Sequence, residues 1–209
     1  MSKVITINHP IIKDSVSILR DEKTTIKDFR EVVKRLSLFL GYEALRNAKT
    51  ESHKIKTPIC ETEGERLINE NITIIPILRA GLGMLEGMLE LLPNAKVGHI
   101  GLERNEDTLK AREYYFKMPN NYETMEAYVV DPMLATGGSA VDAINKLKER
   151  GINNIKFLCI ISAPEGIEKL QNTHPDVDIY TAVIDEKLNE SGYIIPGLGD
   201  AGDRIFGTI

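Results

Sequence analysis

The chain has 209 residues, of which 42% are hydrophobic and 27% are charged. That is enough for one sizeable core, whereas two separate cores would be small. The formal net charge of −5 disfavours a general nucleic-acid or membrane-binding surface, because such surfaces need clustered cations. The start of the chain lacks a signal-peptide pattern, and the most apolar segment, 72–92, is interrupted by Arg79 and Glu86. We expect one cytoplasmic domain, 1–209, with neither a membrane nor a nucleic-acid partner.

The cysteines and histidines give no sign of a disulfide framework or a metal centre. Cys60 and Cys159 lie far apart in the sequence, each among apolar residues, and we expect two buried thiols. The four histidines are scattered and form no pair at i, i+4 spacing. A metal site held by histidine is therefore not expected.

The first predicted element is a long amphipathic helix. Thr25 followed by Asp28 is typical of a helix N-terminus, and apolar residues then recur at three- and four-residue steps as far as Leu40. Alternating apolar and polar residues next predict a short strand over 55–59. A buried strand from Ile72 follows, then a glycine turn and a helix that stops near Pro93.

Four more strands are predicted, with helical stretches between several of them. They begin at Ala95, Ala127, Lys156 and Val177. Strands that alternate with helices predict a mostly parallel sheet with helices on both faces, and a ligand crevice at the carboxyl ends of the strands. Two segments resist assignment, a polar one over 104–124 and a glycine-rich one over 193–209. Long irregular segments of this kind are usually lids or binding loops, or else disordered.

The stretch "AYVVDPMLATGGSA", 127–140, raises the question of what binds after its strand. The loop leads into a predicted helix, where backbone amides lack partners and the helix dipole is positive. Gly137 and Gly138 would let the backbone approach an anion that Thr136 and Ser139 contact through their hydroxyls. Asp131 would repel a phosphate but would accept hydrogen bonds from sugar hydroxyls. The loop therefore predicts a sugar-phosphate site.

Other interpretations of these glycines carry less weight in their context. Taken alone, "TGGS" is more often an ordinary strand-to-helix turn with a serine cap. A Walker loop is excluded because no lysine follows the glycines. The dinucleotide fingerprint is nearly matched by Gly81, Gly83 and Gly87, but the third glycine is displaced by one residue. An enzyme that uses a nicotinamide cofactor is therefore a weak alternative.

The nine residues "DPMLATGGS" from Asp131 resemble the 5-phosphoribosyl 1-diphosphate (PRPP) loop of type I phosphoribosyltransferases. Most members have two adjacent acids at this strand end, and Pro132 in place of the second is the form found in the uracil phosphoribosyltransferases. Three other stretches, "PILRAGLGM", "EYYFKMP" and "YIIPGLGDAGDRIFGT", resemble that family's motifs in the same order and at the same spacing. Ala111 stands where the family has proline, which affects only the expected shape of one arm.

The resemblance implies a fold and a set of functional residues. The fold would be a type I phosphoribosyltransferase-like α/β domain with a flexible protruding arm over 104–124 and a C-terminal hood that binds the base over 193–208. Catalytic positions matched to the family are Asp131, Asp200 and Arg104. Matched PRPP-binding positions are Arg79, Arg104, Asp131, Pro132, Met133, Leu134, Ala135, Thr136, Gly137, Gly138, Ser139 and Asp200. Matched uracil-binding positions are Ile194, Gly199, Asp200 and Ala201.

The implied reaction transfers a 5-phosphoribosyl group from PRPP to N1 of uracil, giving UMP and diphosphate in pyrimidine salvage. Mg²⁺ would be bound mainly through PRPP, with no metal site made by protein alone. The family resemblance also suggests a GTP activator and a homo-oligomer, a dimer or larger. Backbone groups along a flat pyrimidine would favour uracil over cytosine, because the amino group of cytosine is a donor where O4 accepts.

Two further hypotheses remain beside the enzyme. A nucleotide-sensing regulator with the same fold could bind RNA or DNA, but the acidic balance of the chain argues against it. An amidase or a kinase acting on sugar phosphates would need a nucleophile or a Walker loop that the sequence lacks. Arg104, taken alone, is as consistent with a solvated surface cation as with a diphosphate contact, whereas Arg79 follows an apolar strand and is harder to dismiss.

Overall fold

The computed structural model describes residues 2–68, 71–104 and 111–208. The predicted arm therefore lies partly outside the described residues, at 105–110, as does the side chain of Arg104. The helices are α1 (Pro10–Arg20), α2 (Ile26–Ala44), α3 (Leu82–Leu91), α4 (Gly138–Lys148), α5 (Pro164–Thr173) and α6 (Ala201–Phe206). No helix in these described ranges combines the length and the apolar composition needed to cross a bilayer.

Thirteen strands are described, and most of them join one sheet. They are β1 (Val4–Thr6), β2 (Thr50–Lys56), β3 (Glu61–Leu67), β4 (Ile72–Leu78), β5 (Lys96–Val97), β6 (His99–Arg104), β7 (Ala111–Lys117), β8 (Glu126–Val130), β9 (Met133–Leu134), β10 (Asn154–Ser162), β11 (Asp178–Ile184), β12 (Lys187–Leu188) and β13 (Ile194–Ile195). The strand order in the main sheet is β1-β11-β10-β8-β4-β6-β7, with β5 beside β4 and β9 beside β10. Every pair in it is parallel except β6 with β7, as predicted for a mostly parallel sheet.

Side chains alternate between two cores on opposite faces of the sheet. In β8, Tyr128 and Val130 face the core built with α1, α2, α3 and α6, whereas Ala127 and Val129 face the core built with α4 and α5. Successive side chains of a strand point to opposite faces, so a strand that is buried on both faces requires apolar residues at successive positions. The prediction of helices on both faces is confirmed.

The long helix α2 begins where its capping residue predicts. Thr25 accepts a hydrogen bond from the backbone N–H of Asp28 through its hydroxyl, which satisfies one of the free amides of the first turn. Phe29, Val33 and Leu36 are buried on the side that packs on the sheet. The three- and four-residue spacing thus identified the element and its buried face from sequence.

Two predictions for the region after α2 are wrong. The strand expected over 55–59 ends at Lys56, because Thr57 begins a tight turn in which its hydroxyl accepts from the backbone N–H of Cys60 at 3.0 Å. The turn joins β2 and β3 into a separate antiparallel hairpin. Cys60, expected to be buried, is exposed at this turn, whereas Cys159 is buried in the sheet as expected.

The described part of the 104–124 segment forms the antiparallel edge of the sheet. Phe116 is half-buried, and the guanidinium carbon of Arg150 lies 4.0 Å from its ring centroid. Tyr114 and Tyr115 remain 48% and 46% exposed. The ring of Tyr114 nevertheless lies over Gly101, where a Cβ atom would be 2.5 Å from it, and the ring centroid of Tyr115 lies 6.5 Å from that of His99. All three aromatic residues thus contact the chain itself, and a homo-oligomer stays a prediction.

The glycines of α3 allow close packing. A Cβ atom at Gly81 would lie 2.4 Å from the carbonyl oxygen of Val130, and one at Gly87 would lie 2.1 Å from that of Lys34. A Cβ atom at Gly83 would lie 2.7 Å from the side chain of Ile205. These glycines bring α3 against α2, α6 and the end of β8, which explains a pattern that nearly matches the dinucleotide fingerprint.

Replacing Gly87 by Ala should destabilise the protein, because the added methyl group meets backbone of α2 rather than a movable side chain. We expect the free energy of unfolding to fall by about 1–3 kcal/mol, and the melting temperature by about 2–4 °C for each kcal/mol. Thermal unfolding followed by circular dichroism measures the change. Gly64→Ala is the control, since a Cβ there meets only the end of the Ile55 side chain; equal melting temperatures for the two variants would contradict the prediction.

Candidate active site

The loop after β8 and the C-terminal segment line one cavity at the carboxyl ends of the central strands. The cavity has a volume of about 220 Å³, and its walls come from residues 80, 131, 133–140 and 200–202. A second, larger hollow of about 900 Å³ adjoins it and shares Thr136, Gly138, Ser139 and Asp200. The predicted sugar-phosphate loop and part of the predicted base-binding segment therefore face the same space.

The loop after β8 is held in place by hydrogen bonds to β10. The carbonyl oxygen of Pro132 accepts from the backbone amides of Ile160 and Ile161, at 2.9 and 3.1 Å. The carbonyl oxygen of Leu134 accepts from the amide of Ala163 at 2.9 Å. Pro132 itself is buried, and its carbonyl group supports the loop from behind. The loop is thus fixed as an extension of the sheet.

The end of the loop presents an uncapped helix N-terminus. Gly137 has a φ of 75°, a conformation that glycine adopts readily, and it precedes α4 without a side-chain cap. The amide of Gly138 makes only a long hydrogen bond of 3.4 Å to the hydroxyl of Thr136. Thr136 and Ser139 are both exposed. Amides and hydroxyls thus meet at the positive end of the α4 dipole, which is the arrangement that an anion would need, and the sugar-phosphate site stays a prediction.

Lys169, from the middle of α5, lies across this anion site and was not identified from the sequence. Its ammonium nitrogen lies 3.9 Å from the point where a Cβ atom at Gly138 would sit, and its own Cβ lies 3.4 Å from that point at Gly137. Its side chain makes no hydrogen bond or ion pair with any residue in the described ranges. No local sequence motif identifies this lysine, because α5 lies beside the loop only through tertiary packing. The packing is close at Gly166, where a Cβ atom would lie 2.3 Å from the carbonyl oxygen of Ala135.

Two carboxylates meet in the cavity. Burial and the negative charge of Asp200 raise the pKa of Asp131 to about 8, against the effect of a hydrogen bond from the amide of Met133. Asp200 is exposed, and one of its oxygens accepts from the amide of Asp203 at 2.9 Å, which caps α6. The pair makes this part of the cavity a place for hydroxyl donors or for a cation. In the described part of the chain, no group of three or more His, Cys, Asp or Glu side chains could hold a metal ion.

The remaining predicted residues surround the cavity at differing distances. Ala201 lines it, whereas Ile194 and Gly199 lie beside it in the C-terminal segment and are not among the described residues of its wall. Ile194 is buried and pairs with Leu188 in the β12–β13 hairpin. Gly199, exposed and with a φ of 81°, directly precedes Asp200.

The two predicted arginines lie on separate segments. Arg79 follows β4 and is exposed, with its guanidinium carbon 5.8 Å from the ring centroid of Phe206. Its neighbour Ala80 lines the cavity. Arg104 ends β6, and its predicted role in binding and catalysis depends on a side chain outside the described residues. Both roles stay predictions.

Comparisons with known proteins point to one family. The family model described as uracil phosphoribosyltransferase matches residues 5–208. A uracil phosphoribosyltransferase of Clostridium beijerinckii is 57% identical over 208 residues, a match that covers 100% of both chains. A solved structure of a protein from Aquifex aeolicus is 40% identical, covers 97% of each chain and has a TM-score of 0.89. A purine phosphoribosyltransferase from Pyrococcus horikoshii is 18% identical over 75% of this chain and 84% of that chain, with a TM-score of 0.52, and is similar in fold alone.

Replacing Asp131 by Asn should stabilise the protein, and the gain should depend on pH. The usual pKa is 3.8 and the pKa in the folded chain is about 8, so between these values the folded protein holds a proton that the unfolded chain releases. Asp131 therefore lowers the free energy of unfolding by an amount that grows as the pH rises towards about 8 and is constant above it. We expect D131N to gain about 1–3 kcal/mol at pH 8, less than the full shift of about 1.4 kcal/mol per unit, because a half-buried carboxyl keeps some water.

Urea unfolding at pH 5 and pH 8 measures this gain. Asp14→Asn, at an exposed position on α1, is the control and should change stability little at either pH. A D131N gain that is the same at pH 5 and pH 8 would contradict the raised pKa.

Proposed function

The chain belongs to the uracil phosphoribosyltransferase family, and from this premise we propose that it transfers the 5-phosphoribosyl group of PRPP to N1 of uracil. The products are UMP and diphosphate, as in pyrimidine salvage. The single observation that carries the proposal is the shared cavity, in which the anion loop and the C-terminal segment face each other. Its fold is that of the type I phosphoribosyltransferases, in agreement with the sequence resemblance.

The loop 135–139 binds the 5-phosphate of PRPP. Its free amides and the hydroxyls of Thr136 and Ser139 donate to phosphate oxygens, and Lys169 adds a positive charge beside them. Met133, Leu134 and Ala135 shape the wall of the cavity, and Pro132 holds them to the sheet from behind. The adjoining hollow supplies room for the rest of a substrate that would not fit in 220 Å³.

Asp131 accepts hydrogen bonds from the ribose hydroxyls and orients the sugar. In the reaction, the bond between the anomeric carbon and a diphosphate oxygen breaks, and a bond from that carbon to N1 of uracil forms with loss of the N1 proton. The transition state resembles an oxocarbenium ion, so the oxygens of Asp131 and Asp200 in the cavity favour the charge that develops on the sugar, and negative charge on either carboxyl group would strengthen this effect. No covalent nucleophile is needed.

Mg²⁺ reaches the site mainly on PRPP. The two carboxyl groups that converge on the cavity fit such an ion, since a nearby cation would oppose both burial and the charge of Asp200, the two causes that raise the pKa of Asp131. When bound, the ion neutralises charge on the diphosphate leaving group. Arg79 and Arg104 are the proposed diphosphate contacts, because a guanidinium donates two parallel hydrogen bonds to phosphate oxygens.

Uracil is recognised by backbone groups of the C-terminal segment. Ile194, Gly199 and Ala201 are the proposed contacts, and Asp200 joins this segment to the PRPP side. Cytosine would leave a donor facing a donor at the O4 position, which costs about 1–3 kcal/mol. The alternative function, a regulator that binds RNA or DNA, gains no support from the comparisons or from a net charge of −5.

Mixing the protein with uracil, PRPP and Mg²⁺ should release diphosphate and form UMP. The Asp131→Ala variant should lose most of this turnover, because the ribose is no longer oriented, while it remains folded. Chromatographic measurement of UMP checks the loss of turnover, and a melting curve checks that the variant remains folded. Hypoxanthine and cytosine serve as control bases and should give little product; turnover of hypoxanthine in place of uracil would contradict the proposed base recognition.

Lys169→Ala should weaken PRPP binding. An exposed charge-assisted contact of this kind contributes about 0.5–1.4 kcal/mol, so the KM for PRPP should rise roughly 2- to 10-fold with little change in the KM for uracil. The effect should shrink at high salt, which screens the ammonium group. Lys34→Ala is the control, because Lys34 is paired with Glu86 at 2.8 Å and lines neither the cavity nor the adjoining hollow. An unchanged KM for PRPP in K169A would exclude a role for Lys169.

Only the family resemblance supports a GTP activator and a homo-oligomer. The rate of UMP formation with and without GTP tests the first. Sedimentation velocity of the purified chain tests the second.

A further inference from the structure

We propose that Arg20 and Asp185 are positioning residues for uracil, and that they act by holding the turn Pro196–Gly199 in the shape that the base requires. The inference rests on the proposed function, since it concerns the segment that binds uracil there. Neither residue lines the described walls of the cavity, and neither is assigned a role by the motifs that the sequence shares with its family.

The contacts of this pair join three separate parts of the chain. Arg20, the last residue of α1, donates to both oxygens of Asp185, at 2.8 and 2.5 Å. The same arginine donates to the carbonyl oxygen of Gly197 at 2.8 Å. Asp185, which follows β11, accepts from the amide of Gly197 at 2.8 Å. Both backbone polar groups of Gly197 are therefore bound by the pair.

The location of the pair makes these hydrogen bonds strong. The side chain of Asp185 is 3% exposed and that of Arg20 is 25% exposed. Little water competes for the carboxylate, and charge-assisted hydrogen bonds in such surroundings are stronger than neutral ones. A planar guanidinium that binds both carboxylate oxygens also fixes direction, which a lysine ammonium does not.

Arg204 extends the same support to the next residue of the turn. Its guanidinium donates to the carbonyl oxygen of Leu198 at 2.8 Å, and to the carbonyl oxygens of Leu19 and Asp21 next to Arg20. The carbonyl groups of Gly197 and Leu198 are thus both turned towards α1. Within the described ranges, no hydrogen bond occupies the backbone N–H or C=O of Gly199, which remain for a ligand.

The turn needs such support because its sequence does not hold it by itself. Gly197 and Gly199 both have positive φ angles, 64° and 81°, and glycine loses more conformational freedom on ordering than any other residue. A turn that moved freely in the absence of uracil would have to be ordered on binding, at a cost in affinity. Because the pair already fixes Gly197 in the free protein, uracil binding does not bear the cost of ordering the turn. PRPP binding is unaffected.

Steady-state kinetics of Arg20→Ala and Arg20→Lys test the inference. R20A should raise the KM for uracil at least 10-fold while the KM for PRPP changes less than 3-fold. R20K should lie between R20A and the unsubstituted protein, because it keeps the charge and loses the two-oxygen geometry. Asp185→Asn, which preserves volume and an acceptor for Gly197, should behave like R20K and covers the case in which R20A fails to fold.

Lys156→Ala is the matched control. Lys156 binds Glu126 at 2.8 Å and the carbonyl of Ala44 at 2.8 Å, so it too joins separate elements through an ion pair and a carbonyl, but at the amino-terminal end of β8. K156A should lower the melting temperature without changing the KM for uracil. Hydrogen exchange of the Gly197 amide, which donates to Asp185, gives a readout that does not depend on activity, and it should be faster in R20A than in K156A.

Three results would overturn the inference: R20A and R20K that keep the KM for uracil, variants in which both KM values rise together, or exchange of the Gly197 amide in R20A that equals that in K156A. These outcomes differ from a failure of the proposed function, in which the unsubstituted protein makes no UMP from uracil and PRPP.

Discussion

The structure of the site depends on how the chain leaves the central strand β8. Met133 and Leu134 pair with Ile161 and Ser162 of β10, so the segment after Asp131 remains part of the sheet for two more residues before it turns into α4. Without that pairing, a loop containing two consecutive glycines would have many conformations, and the amides at the start of α4 would not share an orientation. The sheet thus gives the anion loop its rigidity, and the core below it maintains the sheet.

The same loop shows how binding capacity and stability oppose each other. Asp131 lies where water is scarce and where Asp200 repels it, which an apolar or amide side chain in its place would avoid. Two further groups are poorly satisfied within the described ranges: the ammonium group of Lys169 has no partner there, and the amide of Gly138 has only a long hydrogen bond of 3.4 Å. These groups suit the proposed substrate, which carries phosphates and hydroxyls, so binding of that substrate would offset what they cost the empty site.

Local pattern was sufficient to predict the scaffold and the loop, because both depend on neighbours in sequence. Buried strands and α2 follow from apolar periodicity, and "TGGS" after a strand predicts a helix start with free amides. The short helix α6 was missed because the four glycines of the C-terminal segment suggested a coil, although Asp200 and Asp203 form a capping pattern. Arg20 and Asp185 could not be found at all, since 165 positions separate them and their partner is a backbone group. Lys169 is likewise close to the loop only through tertiary packing.

Helix α6 and the glycine that follows it pack against the first turns of α2. Arg30 of α2 donates to the carbonyl oxygen of Ile205 at 2.6 Å, and Ile26 lies against Gly207. Residues 200–202 line the cavity, whereas Ile205 and Gly207 contact α2, so the short helix α6 links α2 to the site. A substitution in the first turns of α2 would therefore act on the cavity from a distance, through the position of α6.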